Sequence, residues 1–360
     1  MTSAIYLGGL DIGATKIAAV VGDQTGHLLA HIQESLLFER GRFTAWRDGT
    51  AYGGLASQAT HLLEKAMRKA GIKQVEAVGI GSAGPLAGGA IVDSTNIKPP
   101  HIPVDLPTFP LYMPLTEPIG LHFSASVILE NDANAAVLGE VYYGEGKGTA
   151  DKGSLNIVYV TLSTGLGAGI WSEGKLLRGK DGNAGEIGHF VVKTDGLKCG
   201  CGNIGCAEAY CSGRGMVENA RVCLIEKGLS ASLPLLRLSE EAARDEGANI
   251  ADRVELLEFI DPPMIFEAAD AGDPVAQAVI QDAATYCGIA LADIANAYDP
   301  EVITVGGGIG VHQPRLVGAM EREMLRHLNV RPPRVRVTPL GDRAVVYGAI
   351  VLARQSLAES

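Results

Sequence analysis

IYLGGLDIGATKIAAVVGDQTGHLLAHIQE, residues 5–34, decides the fold. An apolar run ends in a glycine-containing bend at Asp11–Lys16, a second apolar run follows, and Asp23–Gly26 turns the chain into a third. The pattern predicts three strands joined by two tight connections. Residues 155–192, LNIVYVTLSTGLGAGIWSEGKLLRGKDGNAGEIGHFVV, begin the same hairpin again with longer turns. The parallel continues downstream. VEAVGIGSAG at 75–84 and EVITVGGGIG at 301–310 each read as a buried-type strand running into glycines after a helix. One plan written twice predicts a duplicated α/β unit holding ligands between its halves. A simple open dinucleotide sheet has no use for a second hairpin.

Helical spacing completes the plan. Ala51–Ala70 places Leu55, Ala59, Leu62, Leu63, Ala66 and Met67 on one face before the Gly71 stop. NDANAAVLGEVYYG, 131–144, reads as a short buried helix beginning beside Asp132, and Asp273–Tyr298 as a long one opened by Asp273 and Pro274. The proline-rich stretch 98–118 predicts an extended loop that limits or covers the ligand cleft, and 229–262 one or two surface helices.

Composition excludes several classes. With 360 residues, 47% hydrophobic and 20% charged, the chain has material for a large core and most simply two domains. A formal charge of −11 argues against an obligate nucleic-acid or anionic-membrane surface. The N-terminus lacks the pattern of a secretory signal and no run reads as transmembrane in length, so a cytoplasmic location is expected.

The glycine bends have a chemical reading. Asp11–Lys16 follows an apolar strand, so its amides and the Thr15 hydroxyl can meet phosphate oxygens. TLSTGLGAG, 161–169, is a second such cradle, and GGGIG, 306–310, a third place against which adenosine can lie. None matches GxxxxGK[ST], Lys16 is not placed like a P-loop lysine, and no GxGxxG follows the first strand. Asp132 is the candidate general base for phosphoryl transfer to an alcohol, with Asn131 beside it as a neutral donor and acceptor; an N-cap aspartate is the structural alternative. Asp11 reads either as a residue facing Mg2+ or as a turn aspartate bonded to its own backbone.

GHFVVKTDGLKCGCGNIGCAEAY, 188–210, places Cys199, Cys201 and Cys206 in one loop, ten residues after His189. Zinc held by Cys3His is the favoured reading, with Gly200, Gly202 and Gly205 turning the chain; a local disulfide or three reduced bystanders are the others. Four protein ligands leave no open position, which makes such a zinc structural. Glu186, His189 and Glu208 surround the loop, and two carboxylates with an imidazole can bind several sugar hydroxyls.

Taken together, DIGATK, GIGSAGP, ENDANAA, TLSTGLGAG, GNAGEIGH, CGCGNIGCAEAY and ITVGGGIG make the chain resemble the ROK family (repressor, open reading frame, kinase) along nearly its whole length, and in particular its ATP-dependent sugar kinases. The resemblance implies the actin-like, ribonuclease-H-like ATPase fold, two α/β domains around a hinged cleft. It implies residues 1–127 plus 341–360 in the smaller domain and 128–340 in the larger, with the zinc loop at 189–206. Asp132 then matches the family base and Asn131 a sugar-hydroxyl ligand; Glu186, His189 and Glu208 match hexose-binding positions, and Gly81 and Ser82 lie near the acceptor wall. His189, Cys199, Cys201 and Cys206 match the zinc site. Asp11, Gly13, Thr15 and Lys16 match the first phosphate region, Thr164 and Gly165 the second, and Gly307 and Gly308 the adenosine region. The implied function is phosphorylation of glucose or a related hexose at the 6-hydroxyl by ATP with Mg2+, in a homodimer or homotetramer. N-acetylhexosamines, fructose, mannose and cyclitols are alternative acceptors, and a sugar-sensing regulator is the alternative class. Family repressors carry a DNA-binding module before this core, and a phosphate loop beginning at Asp11 leaves no room for one, so no nucleic-acid partner is expected.

Overall fold

The computed structural model describes residues 4–36, 54–92, 112–230 and 232–359. The chain begins β1 (Tyr6–Ile12), β2 (Lys16–Asp23), β3 (Leu28–Ser35), α1 (Leu55–Ala70), β4 (Ala77–Ser82), β5 (Leu86–Ala87), β6 (Ala90–Val92) and β7 (Tyr112–Pro114). Next come α2 (Thr116–Phe123), β8 (Ser126–Asn131), α3 (Asp132–Tyr143), β9 (Ile157–Leu162), β10 (Leu166–Ser172) and β11 (Lys175–Leu176). Helices α4 (Glu208–Cys211), α5 (Gly213–Lys227), α6 (Pro234–Asp245), α7 (Pro262–Asp270) and α8 (Pro274–Tyr298) follow. The chain closes with β12 (Val302–Gly306), α9 (Gly307–His312), α10 (Pro314–Met324), β13 (Arg334–Val337) and α11 (Ala344–Glu359).

Two five-stranded sheets share one order, β3-β2-β1-β4-β8 and β11-β10-β9-β12-β13. Each is a hairpin unit followed by two further strands, which is the duplication expected from residues 5–34 and 155–192. In the first sheet β1 pairs antiparallel with β2 and parallel with β4, and β4 runs parallel to β8. In the second, β12 runs parallel to β13.

Two compact units divide the chain: residues 1–159, 169–184 and 338–360 form one, and 160–168 with 185–337 the other. In the first, β2 is apolar on both faces because both are covered. Ile17, Ala19 and Val21 join the core beneath α1, while Ala18 and Val20 pack with Val346, Ile350 and Ala353 of α11. Gly79 admits α11 to the sheet, since a β-carbon there would stand 1.9 Å from the Ala349 carbonyl oxygen. Helices α3 and α11 meet just as closely, because a β-carbon at Gly348 would stand 1.6 Å from the Ala135 carbonyl oxygen. This packing keeps α3 with the first unit. The boundary expected after residue 127 lies instead after Tyr159, and the C-terminal return starts at Thr338 rather than 341.

In the second unit α8 is the central helix, capped by buried Asp273, whose Oδ1 accepts from Val275 N and Ala276 N while Oδ2 accepts from Leu235 N. At 25 residues α8 is long and apolar enough to cross a membrane, contrary to the reading that no run reaches that length. Its buried face, including Val275, Val279, Cys287 and Leu291, is that of a core helix. The 229–262 segment supplies α6 and a 3-10 turn at Arg253–Phe259. Of the 98–118 stretch, 98–111 lie outside the described residues, and the remainder forms β7 and the start of α2 rather than extended loop.

Candidate active site and metal centre

In the first unit, strand register assembles the site. Asp11 of β1 stands opposite Gly81 of β4, which stands opposite Glu130 of β8; one residue on, Ile12, Ser82 and Asn131 are aligned in the same way. Three strand ends therefore deliver Asp11, Gly81 and Asn131–Asp132 to one place, as parallel strands with carboxyl-end sites do. Gly81 packs directly under α3: a β-carbon there would meet Ala135 Cβ at 3.0 Å and Asp132 Cα at 3.8 Å. Ser82 is fully buried, and its hydroxyl donates to the carbonyls of Ile12 and Ala83. Its side chain is thus committed to the backbone and not presented at a wall.

The cap of α3 is Asn131, not Asp132. Asn131 Oδ1 accepts from Ala133 N (2.9 Å) and Asn134 N (3.2 Å). Asp132 sits at the first helical position, where Oδ1 accepts from Ala133 N at 2.8 Å. Desolvation raises its pKa against the opposing pull of its hydrogen bonds. Asp11 is driven up to about 7, first by desolvation and then by the Asp132 charge. Two neighbouring buried carboxylates, one raised by burial and the other by burial and its neighbour's charge, are a fit environment for a divalent cation. Gly13 N donates to Lys16 O in the β1–β2 turn, where Thr15 and Lys16 are exposed.

In the second unit the β9–β10 turn closes with Ser163 N donating to Gly165 O. Two further elements converge on it. Gly213 N and Arg214 N, at the start of α5, donate to the carbonyls of Ser163 (2.8 Å) and Thr164 (3.4 Å). Gly307, with φ 77°, lies so close to Leu162 that a β-carbon would stand 2.6 Å from its carbonyl oxygen, and Gly308 faces Ser163. Thr164, Gly165, Gly307 and Gly308 are therefore neighbours, as the glycine motifs predicted. Gly213 and Arg214 escaped the sequence reading. The glycine-bracketed SGRG at a helix start was their only signal.

Glu208 ties this turn to the cysteine loop. Its Oε2 accepts from Leu166 N at 3.0 Å, and its Oε1 stands 4.0 Å from Cys199 Sγ. Gly188 lets the 185–189 segment lie on β10, because a β-carbon there would be 2.2 Å from the Leu166 carbonyl oxygen. That segment carries Glu186 and His189, whose Oε2 and Nε2 are 3.9 Å apart. The other imidazole nitrogen, Nδ1, faces Cys199 Sγ at 3.9 Å.

The ligand atoms of His189, Cys199, Cys201 and Cys206 lie within 4.8 Å of one another. Cys201 and Cys206 sulfurs are 3.8 Å apart, far beyond a disulfide bond and equal to the edge, roughly 3.8 Å, of a tetrahedron with zinc–sulfur bonds near 2.3 Å. Burial and the neighbouring sulfurs push the Cys206 thiol up to about 12, so a bound cation would be needed to hold it as the thiolate. The residues fit zinc. Gly202 (φ 96°) and Gly205 (φ 79°) take left-handed turns in this loop; Gly200, expected to help, does not.

The sequence model of the ROK family matches residues 7–356. The chain belongs to the ROK family. A glucokinase of Streptomyces coelicolor is 34% identical to this ROK chain over 352 residues, 96% of this chain and 97% of the relative. The crystal structure of a ROK family glucokinase from Streptomyces griseus in complex with glucose and AMPPNP superposes with a TM-score of 0.69 at 33% identity, covering 97% of this chain and 99% of that one. A xylose repressor of Caldicellulosiruptor bescii is 28% identical over 96% of this chain and 77% of its own length. The fold is the actin-like ATPase fold with its duplicated α/β architecture.

Proposed function

We propose that this ROK protein is an ATP-dependent hexose kinase that transfers the γ-phosphoryl group to the 6-hydroxyl of glucose or a close relative. One observation carries the reading: Asn131 takes over the cap of α3, which leaves the Asp132 carboxylate, at the strand-to-helix junction, available as a base. The similarity to glucokinases over nearly the full chain supports the same activity. In this reading Asp132 accepts the hydroxyl proton as transfer proceeds. Asn131, Glu186, His189 and Glu208 bind the acceptor's hydroxyls, and Gly81 supplies room beneath Asp132. Gly13, Thr15, Lys16, Thr164 and Gly165 bind phosphates, and Gly307 with Gly308 makes space for adenosine. Mg2+, held through Asp11, would neutralise phosphate charge. Zinc on His189, Cys199, Cys201 and Cys206 would fix the loop from which Glu208 projects. A cytoplasmic homodimer or homotetramer belongs to the same proposal.

The repressor similarity favours a second reading, sugar sensing without transfer. The decisive experiment is ADP release from Mg-ATP across glucose, mannose, fructose, N-acetylglucosamine, N-acetylmannosamine and a cyclitol, with a no-sugar control. ADP release that depends strongly on glucose is expected. Sugar binding by calorimetry with no sugar-dependent ADP would replace the kinase reading with the sensing one.

A further inference from the structure

Glu130 has no place in the roles above, yet it is the most connected side chain at the strand end. It is only 8% exposed, and its two oxygens are both spent. Oε1 accepts from Asn131 N at 3.0 Å and from the buried Asn134 Nδ2 at 3.1 Å. Oε2 accepts from Arg178 Nε at 2.6 Å. One carboxylate therefore grips both ends of the first turn of α3, on either side of Asp132, and a guanidinium grips the carboxylate.

Arg178 is placed by its own loop. Leu177 N donates to Ile170 O, and Ala184 N returns to donate to Arg178 O at 3.1 Å. Gly179, at φ 72°, makes the turn that closes this loop. The chain leaving Ala184 continues directly into Glu186 and His189. Arg178 thus stands in the loop that ends at Ala184 while its side chain reaches the turn that carries Asp132.

We propose that Arg178 and Glu130 form a positioning pair that fixes the Asn131–Asp132 turn for proton abstraction. Neither residue touches a reacting atom. Glu130 orders the turn through Asn131 N and Asn134, and Arg178 holds Glu130 in the orientation that lets it do so. Loss of the two partners is asymmetric, because Arg178 is half exposed and Glu130 buried: removing Arg178 leaves the Glu130 carboxylate with its two neutral donors at Oε1 and no cation at Oε2. The inference deepens the kinase reading, since it assigns Asp132 a support.

The test uses Arg178→Ala, Arg178→Lys, Glu130→Gln and the double variant Arg178→Ala/Glu130→Gln in the full chain. Displacing a base by a fraction of an ångström predicts kcat lower by roughly ten- to a hundredfold in each single variant, with KM for sugar and ATP within about twofold. Arg178→Lys should recover part of kcat, and the double variant should be no slower than the worse single one. Wild-type kcat in Arg178→Ala, or a loss of kcat matched by an equal loss of sugar affinity and melting temperature, overturns the proposal. Hydrogen exchange separates this failure from failure of the kinase reading. The amides of Asn131, Ala133 and Asn134 should exchange at least about tenfold faster in Arg178→Ala whatever the protein's activity. Unchanged protection there would defeat the pair even in an active kinase.

Discussion

The two hairpins that open the halves start alike and finish differently. The first runs through strands of 7, 8 and 8 residues, so its edge strand β3 is as long as its neighbours. The second has strands of 6, 7 and 2, and the chain beyond Leu176 leaves the sheet. What the first half invests in an edge strand, the second invests in the Arg178 loop, the Glu186–His189 segment and the cysteine loop. The strand ends differ in chemistry as well. The penultimate residue of β1 is Asp11, whereas the same place on β9 is Thr161. A duplicated scaffold thus divides labour: one copy brings carboxylates together and the other brings turns, amides and a Cys3His cluster. Such a division makes the halves separable by experiment.

The largest effect should come from the first half's carboxylate. Asp132→Asn keeps the shape and its Oδ1 acceptor but removes the base, so kcat should fall by roughly a thousandfold. Calorimetric affinities for glucose and ATP should hold within a few-fold. Near-normal turnover would show that the first half does not supply the base and would dissolve the contrast at its strongest point.

Cys201→Ser tests the second half. Zinc measured in the purified protein should fall from about one equivalent to about zero, because three ligands no longer close a tetrahedron. Hydrogen exchange should accelerate across residues 189–210 and leave β1–β3 at wild-type rates. A zinc-free variant of unchanged activity and exchange would remove the structural metal from the account.

How much of this was legible in the sequence depended on distance along the chain. The hairpins were readable because apolar runs and turn glycines are local, and the Cys3His cluster because three cysteines and a histidine within 18 positions leave few alternatives. The boundary after Tyr159 was not, because it depends on Gly348 and Ala135 meeting across more than two hundred residues. Glu130 and Arg178 were missed for the same reason, being 48 residues apart with no local motif. Asn131 as the cap was hidden more subtly. Asn and Asp cap almost equally well, so Asn131–Asp132 left the choice to backbone geometry.

Glycines in the cysteine loop offer a graded test of how tightly the second half is built. Gly205 combines a left-handed backbone with a β-carbon position 1.6 Å from the Lys193 carbonyl oxygen, so Gly205→Ala should cost about 3 kcal/mol. Gly202 has the left-handed backbone but open space, so alanine should cost about 1 kcal/mol. Gly200 has neither constraint, its nearest neighbour being Arg214 at 3.9 Å, and Gly200→Ala should stay within about 0.5 kcal/mol. Urea unfolding of the zinc-loaded protein checks the ranking. Equal costs at all three positions would mean that the loop tolerates rearrangement.

A pH-dependent effect concerns Asp11 and Thr161, the matched positions of the two hairpins. Asp11 titrates near 7 in the folded chain against 3.8 ordinarily, so between those values the folded state holds a proton that the unfolded state has lost. Stability should therefore decline as pH rises from about 4 to about 7, and the penalty should be complete above that range. Asn mimics the protonated form. Asp11→Asn should match the wild type in melting temperature near pH 4 and exceed it by about 3 °C at pH 8 without magnesium. Adding Mg2+ at pH 8 should raise the wild type toward the variant and leave the variant unmoved, because the cation offsets the burial of the Asp11 charge and its repulsion by Asp132, both of which the substitution has already removed. Thr161→Val carries no titrating group and should shift melting by the same amount at both pH values. If Asp11→Asn behaves in that pH-independent way too, the carboxylate pair is not what distinguishes the first hairpin from the second.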